Sequence, residues 1–291
     1  MKKQRLKNPM IMEKHRRYNR CLIKKPCHHR AFLLIFLILF IRCGNATMTA
    51  MTAMTADTLT DTRVDKLALL QVPLTAADFL GRYYGFDDTA DWQLTLHQHI
   101  YTLLQRSTGL ALRIDFRQGK YRYRNHHKGK EPLLQAVKIK KRLPERLIDA
   151  TPGVLKDSFM LAGRGIHVTA IERNPLLYLM VKQSLSQVAC PIDYYFGEAA
   201  DRLGDFPAPV IYLDPMYPPR HKSAAVKKAM QILHRIVGSD ADAAHLFRVA
   251  RQQHARVVVK RPAYAASLST TPPDFICRAD KRGATRFEVY L

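Results

Sequence analysis

Asp214-Pro215-Met216-Tyr217-Pro218-Pro219-Arg220 directly follows an apolar run, Val210-Ile211-Tyr212-Leu213. A carboxylate, a proline and an aromatic ring at the end of a buried strand suit methyl transfer to a planar amine. The Asp214 carboxylate and nearby carbonyls can accept hydrogen bonds from an exocyclic NH2, and the Tyr217 ring can stack on the base that carries it. Proline fixes φ and has no N–H, so neighbouring carbonyls can face a ligand instead of joining a ladder. Taken alone, the run reads equally well as an exposed proline-rich loop with Tyr217 as a packing residue.

Three other positions are spaced to serve the same chemistry. Asp149-Ala150-Thr151-Pro152-Gly153 ends an apolar run in a tight turn. Glu172 lies nineteen residues beyond Gly153, the spacing of an acidic residue that accepts from both hydroxyls of a ribose. Gly197-Glu198-Ala199 follows a third run. Any one of these is an ordinary surface turn. Together with Asp214 they put polar or turn residues on four consecutive strand ends, which points to an S-adenosylmethionine site.

The elements that must position them alternate. Apolar runs predict strands over 146–150, 167–172, 192–196, 210–213 and 256–260, with a terminal hairpin over 275–279 and 286–291. Helices are predicted over 131–137, 155–163, 175–188, 223–237 and 240–253, with Asp240 as an N-cap. This alternation predicts an α/β fold, a doubly wound sheet with right-handed crossovers, whose ligands bind at the C-terminal strand ends. A final antiparallel hairpin gives it the strand arrangement of Rossmann-like methyltransferases, by analogy.

Upstream, residues 57–130 read as a small α+β segment. A short helix starts near Thr75, and strands are predicted over 92–96 and 110–116. Lys120, Arg122, Arg124, His126, His127, Lys128 and Lys130 then interleave with Tyr121 and Tyr123. Basic residues between aromatics suit a phosphate backbone with stacked bases, and equally the solvated face of a strand.

Residues 1–56 are unlike the rest. The first thirty hold eleven Lys/Arg against Glu13, and residues 31–41 are an unbroken apolar run. Eleven residues are too few to span a bilayer, which takes about 20. Three readings compete: a secretory signal, a tethering helix, or upstream sequence ahead of a true start at Met48, Met51 or Met54. The last is favoured. The net charge is +23, and residues 31–291 still carry 36 basic against 23 acidic groups, an excess that favours a polyanionic partner. Five cysteines without a CxxC pair suit reduced thiols in the cytosol rather than a metal site. The expected organisation is therefore an extension (1–56), the α+β segment (57–130) and the doubly wound domain (131–291).

The segments LIDATPGVLKDSF, GIHVTAIERNP, VIYLDPMYPPRHKSAAVKKAM and RVVVKRPAY resemble the bacterial small-subunit ribosomal RNA guanine-N2 methyltransferase J family, over about 70–291. The resemblance implies a cytoplasmic enzyme that uses S-adenosylmethionine. The implied substrate is 16S rRNA or the small subunit, methylated on a guanosine N2 in the 3′-terminal hairpin, with no membrane partner and no metal. It places Lys156 and Asp157, Glu172 and Arg173, Glu198 and Ala199, and Asp214 at the family's cofactor contacts. Asp214 and Tyr217 would carry the chemistry. Lys260-Arg261, ending the fifth strand, reads as a grip on the RNA backbone or as a solvated strand end. One departure stands out: Leu155 replaces the second glycine of the family's first turn, where a Cβ can crowd the methionine moiety. Two rival readings stay open: methylation of another planar amine (adenine, cytosine or protein glutamine), and an RNA-binding remnant that no longer holds cofactor.

Overall fold

In the run Val210–Leu213 all four residues are buried, and their side chains alternate between two cores. Val210 and Tyr212 enter one, and Ile211 and Leu213 enter the other. Period-two alternation with both faces apolar marks a strand covered on both sides. Each such side chain contributes about 1.5–3 kcal/mol when fully buried. The neighbouring strands repeat the pattern, with Leu147 and Val258 on the first face and Ile148, Val257 and Val259 on the second.

The computed structural model describes residues 64–118, 121, 131–216, 228–238, 240–278 and 284–291. Residues 60–291 form one compact unit. It opens with β1 (Lys66–Leu70), α1 (Leu74–Leu80), β2 (Gly85–Phe86), β3 (Trp92–His97), β4 (Ile100–Gln105) and β5 (Leu110–Arg113). These strands pair in the order β2-β1-β3-β4-β5, parallel through β3 and antiparallel from β3 to β5.

Then come α2 (Pro132–Val137), β6 (Arg146–Asp149), α3 (Lys156–Ala162), β7 (His167–Glu172), α4 (Pro175–Leu185), β8 (Ile192–Phe196), α5 (Ala199–Arg202) and β9 (Val210–Leu213). The chain closes with α6 (Lys228–Val237), α7 (Ala243–Arg251), β10 (Arg256–Pro262), β11 (Phe275–Arg278) and β12 (Thr285–Tyr290). The second sheet has the order β11-β12-β10-β9-β6-β7-β8, with only β12 antiparallel to its neighbours. This is the Rossmann-like methyltransferase sheet with its terminal hairpin. Strand order reverses at β6, which lies between β7 and β9, so the ligand crevice belongs at the C-terminal ends of these strands.

Local chemistry starts and stops the helices. Pro175 opens α4, and the Asn174 side chain caps it by accepting the Leu177 N–H at 3.0 Å. Asp242, not Asp240, occupies the N-cap position of α7, without a side-chain cap bond, while the Asp240 carboxylate accepts from the Met216 N–H. The two sheets share a core: Trp92, Leu94, Leu103 and Leu112 join the cluster that covers one face of the second sheet. Helix α6 packs on β5, and Arg235 reaches Gln105 of β4. No helix among the described residues is long and apolar enough to cross a membrane.

Candidate active site

The ends of β6, β7, β8 and β9 open into one cavity of about 250 Å³. Lys156, Asp157, Glu172, Arg173, Glu198, Ala199 and Asp214 all line it. Tyr217 lies outside the described residues, as does all of the basic patch over 120–130 except Tyr121. Tyr121 does not present its ring to a base. Its hydroxyl donates to the Val154 carbonyl at 2.8 Å, and its ring packs edge-on against Phe116 and Phe159.

The turn after β6 is built on two left-handed residues, Gly153 at φ 51° and Leu155 at φ 55°. Gly153 needs its freedom: a Cβ there would meet nothing within 4 Å, so backbone conformation rather than space requires glycine. Leu155 adopts the same region despite its side chain, at a cost of about 1–2 kcal/mol. That side chain is fully buried in the core. The expected crowding of the cavity by its Cβ does not arise, because the chain turns Leu155 inward and leaves Gly153, Val154, Lys156 and Asp157 on the wall.

Asp149 ends β6 buried, accepting from the Ser158 hydroxyl and from the Thr151 N–H at 3.2 Å. Burial pushes its carboxyl up to about 7, against those two hydrogen bonds. Glu172 ends β7 equally buried, with Oε1 accepting the Asn174 N–H at 2.7 Å. Burial pushes it to about 8, while the N–H groups of Asn174 and Gly153 and the charge of Arg173 pull it down. A buried acid beside a glycine turn can accept from ligand hydroxyls once ionised. Arg173, the next residue, also lines the wall. It is held by Asp240, by Asp242 at 2.7 Å and by Glu198 at 3.7 Å. Burial alone would lower its pKa, but these carboxylates raise it above the ordinary guanidinium.

On the far side, Lys260 of β10 places its ammonium 2.7 Å from Asp214 Oδ2 and 2.8 Å from Asp157 Oδ2. Asp157 also accepts from the buried Tyr212 hydroxyl at 2.7 Å. Burial raises Asp214, and the Lys260 ammonium opposes the rise. Burial would lower Lys260, and the two carboxylates more than offset it. Neither Lys260 nor Arg261 is a solvated strand end. Lys260 lines the cavity between two acids, and Arg261 is buried, donating to the Ala266 carbonyl.

Two further ties fix the backbone after β9. The Asp214 N–H donates to the Thr151 hydroxyl. The Met216 N–H donates to Asp240 Oδ2 at 2.6 Å, and the Asp240 N–H returns to the Met216 carbonyl at 3.3 Å. Sequence reading assigned Asp240 to a cap and left Asp149, Thr151 and Tyr212 without roles. The signal for Lys260 was present in register: Val259 pairs with Leu213 in adjacent parallel strands, so the next residues, Lys260 and Asp214, are neighbours.

Known proteins resemble this chain in sequence and in fold. The profile of the SAM-dependent methyltransferase family (SAM_MT) matches residues 83–291. The ribosomal RNA small subunit methyltransferase J of Actinobacillus succinogenes is 36% identical over 219 residues, 69% of this chain and 81% of that protein. Its namesake from Shewanella pealeana is 31% identical over 227 residues, covering 71% of this chain and 88% of the other. A crystal structure of a SAM-dependent methyltransferase from Neisseria gonorrhoeae superposes with a TM-score of 0.57 at 26% identity, over 78% of this chain and 95% of that one.

Proposed function

This chain belongs to the SAM-dependent methyltransferases of the ribosomal RNA small subunit J family, and from that premise we propose that its site methylates the exocyclic N2 of a guanosine in 16S rRNA. That it is an rRNA methyltransferase follows from the family; the guanine N2 and its place in the 3′-terminal hairpin are our reading. S-adenosylmethionine, when bound, supplies the methyl group as a sulfonium substituent. The described residues fit it: Gly153 leaves the turn free of a Cβ, and Glu172 offers a buried acceptor suited to ribose hydroxyls. Lys156, Asp157, Arg173, Glu198 and Ala199 complete the wall that would hold it.

The observation that carries the guanine reading is the Asp214–Lys260 pair. A carboxylate beside an ammonium accepts and does not donate. Guanine presents two adjacent donors, N1–H and the N2 amine. Adenine and cytosine set a ring acceptor beside the amine, which would face the carboxylate with like polarity. The guanine N2 lone pair is delocalised into the ring, so its reactivity depends on orientation. Asp214 and a neighbouring carbonyl would fix the N–H bonds and stabilise positive charge as the N–C bond forms. The proton leaves late, to Asp214 or water, and the raised pKa of Asp214 makes it a better acceptor for that step. Tyr217 would stack on the extruded base. An enzyme of this kind acts in the cytoplasm, where its substrate is assembled.

The test is methyl incorporation into small subunits from a strain lacking this protein, followed by nucleoside mapping. N2-methylguanosine at one position of 16S rRNA is the expected product. A methylated adenosine or cytidine, or label in protein, would overturn the reading.

A further inference from the structure

We propose that Lys260 is a positioning residue for methyl transfer: its ammonium clamps one oxygen of Asp214 against Asp157 and leaves the other, Oδ1, for the incoming amine. The inference rests on the functional reading above and goes beyond it by assigning a role to a residue outside the cofactor and base contacts. Four observations support it. Lys260 sits on β10, a central strand whose residues Val257, Val258 and Val259 are fully buried, so its stem has little freedom. Both contacts are at hydrogen-bond distance, 2.7 and 2.8 Å. The second partner, Asp157, is itself fixed by the Tyr212 hydroxyl at 2.7 Å. The Asp214 backbone is fixed independently by Thr151, so a rotamer clamp is what remains to be supplied.

Charge makes the ammonium necessary. Among the described residues, the acids that face Asp214 are Asp157 on α3, Asp149 at the end of β6 and Asp240 after α6, with the Tyr212 phenol on its own strand. Among the described residues, Lys260 is the cation paired with it. Without that ammonium, Asp157 and Asp214 would converge on the vacated space as two carboxylates. Such a pair shares a proton, as like charges at contact distance do. A protonated Asp214 would be a donor facing a donor, and the amine would lose its acceptor.

The test compares the unaltered chain with Lys260→Met and Lys260→Arg. Label transfer from methyl-labelled S-adenosylmethionine to unmodified small subunits is followed from about pH 6 to about pH 9, the range in which bell-shaped profiles report essential groups. Lys260→Met should lose at least about tenfold in kcat/KM at neutral pH, with the acid limb moved upward by about one pH unit or more and activity recovering as pH rises. Lys260→Arg should keep the acid limb in place, because it keeps the charge. A merely structural role predicts a uniform loss with an unmoved limb, and that result would overturn the proposal. In parallel, the Asp214 carboxyl is titrated by carbon NMR in the unaltered chain and in Lys260→Met, without RNA. Its midpoint should rise on loss of the lysine; an unchanged midpoint overturns the clamp whether or not the RNA is a substrate. Failure of the unaltered chain to label 16S rRNA, with the midpoint still shifting, would instead sink the functional reading and leave the clamp standing.

Discussion

The two sides of the cavity are assembled in different ways. At the ends of β6 and β7, the terminal carboxylates are held by residues close to them in the chain: Glu172 by Asn174, two positions on, and Asp149 by Thr151 and Ser158, two and nine positions on. Along β9 and β10, the ties are long. Asp214 is held by Lys260 and Thr151, 46 and 63 positions away, and Met216 by Asp240, 24 positions away. The first side forms wherever its strand and turn form. The second exists only when three strands of the sheet are in register. One consequence is that a change on the first side should alter ligand affinity locally, while a change on the second should alter turnover.

Asp214→Ala tests that division most severely. Removing the acceptor should cost about 2–4 kcal/mol of transition-state stabilisation. Calorimetric affinity for S-adenosylmethionine should be nearly unchanged, and circular dichroism should show an intact fold. Loss of affinity comparable to the loss of turnover would erase the distinction between the sides.

Glu172→Gln probes the other side and should cost about 1.5–3 kcal/mol of cofactor affinity, the range for a hydrogen bond to a charged acceptor. The pH dependence has a definite sign. Burial holds Glu172 at about 8, above the ordinary carboxylate, so the folded protein favours its protonated form. The stabilisation this gives is complete at acidic pH and is lost as pH rises through about 8. Cofactor hydroxyls need the ionised form, so affinity should increase as pH passes from 7 to above 8. A calorimetric titration series should show this rise in the unaltered chain and not in Glu172→Gln.

Leu155→Gly gives the smallest expected effect on function. Glycine would relieve about 1–2 kcal/mol of left-handed strain. It would also remove a fully buried leucine, whose truncation costs about 2–5 kcal/mol. The net expectation is a loss of about 0–4 kcal/mol in denaturant unfolding, with cofactor affinity nearly constant. Tighter cofactor binding would mean that Leu155 obstructs the cavity after all.

What could be read in the sequence follows the same division. The parallel strands announce themselves, because runs of four consecutive apolar residues at 210–213 and three at 257–259 favour burial. The carboxylates Glu172 and Asp214 are legible because they terminate such runs. The partners of Asp214 are not, since pairing of β9 with β10 is a property of strand order. The first sheet is the least legible part. Two of its strands show alternation, whereas β1 (KLALL) and β4 (IYTLLQ) carry continuous or irregular apolar patterns that fit a helix equally well. The placement of Leu155 is not legible because residue type alone does not give φ.

Helix α6 ties the two sheets together. Leu233 and Val237 form part of the cavity wall, the Ile236 carbonyl accepts from Asn174 at 2.8 Å, and Arg235 is anchored on Gln105 in the first sheet. The first sheet is therefore not a cassette that evolution or an engineer could exchange freely. A chimera that grafts the seven-stranded half onto a foreign RNA-reading module would inherit every residue around Asp214, yet lose the backing that keeps α6 seated. Such a graft would need a replacement for β4 and β5 before it needed a new substrate.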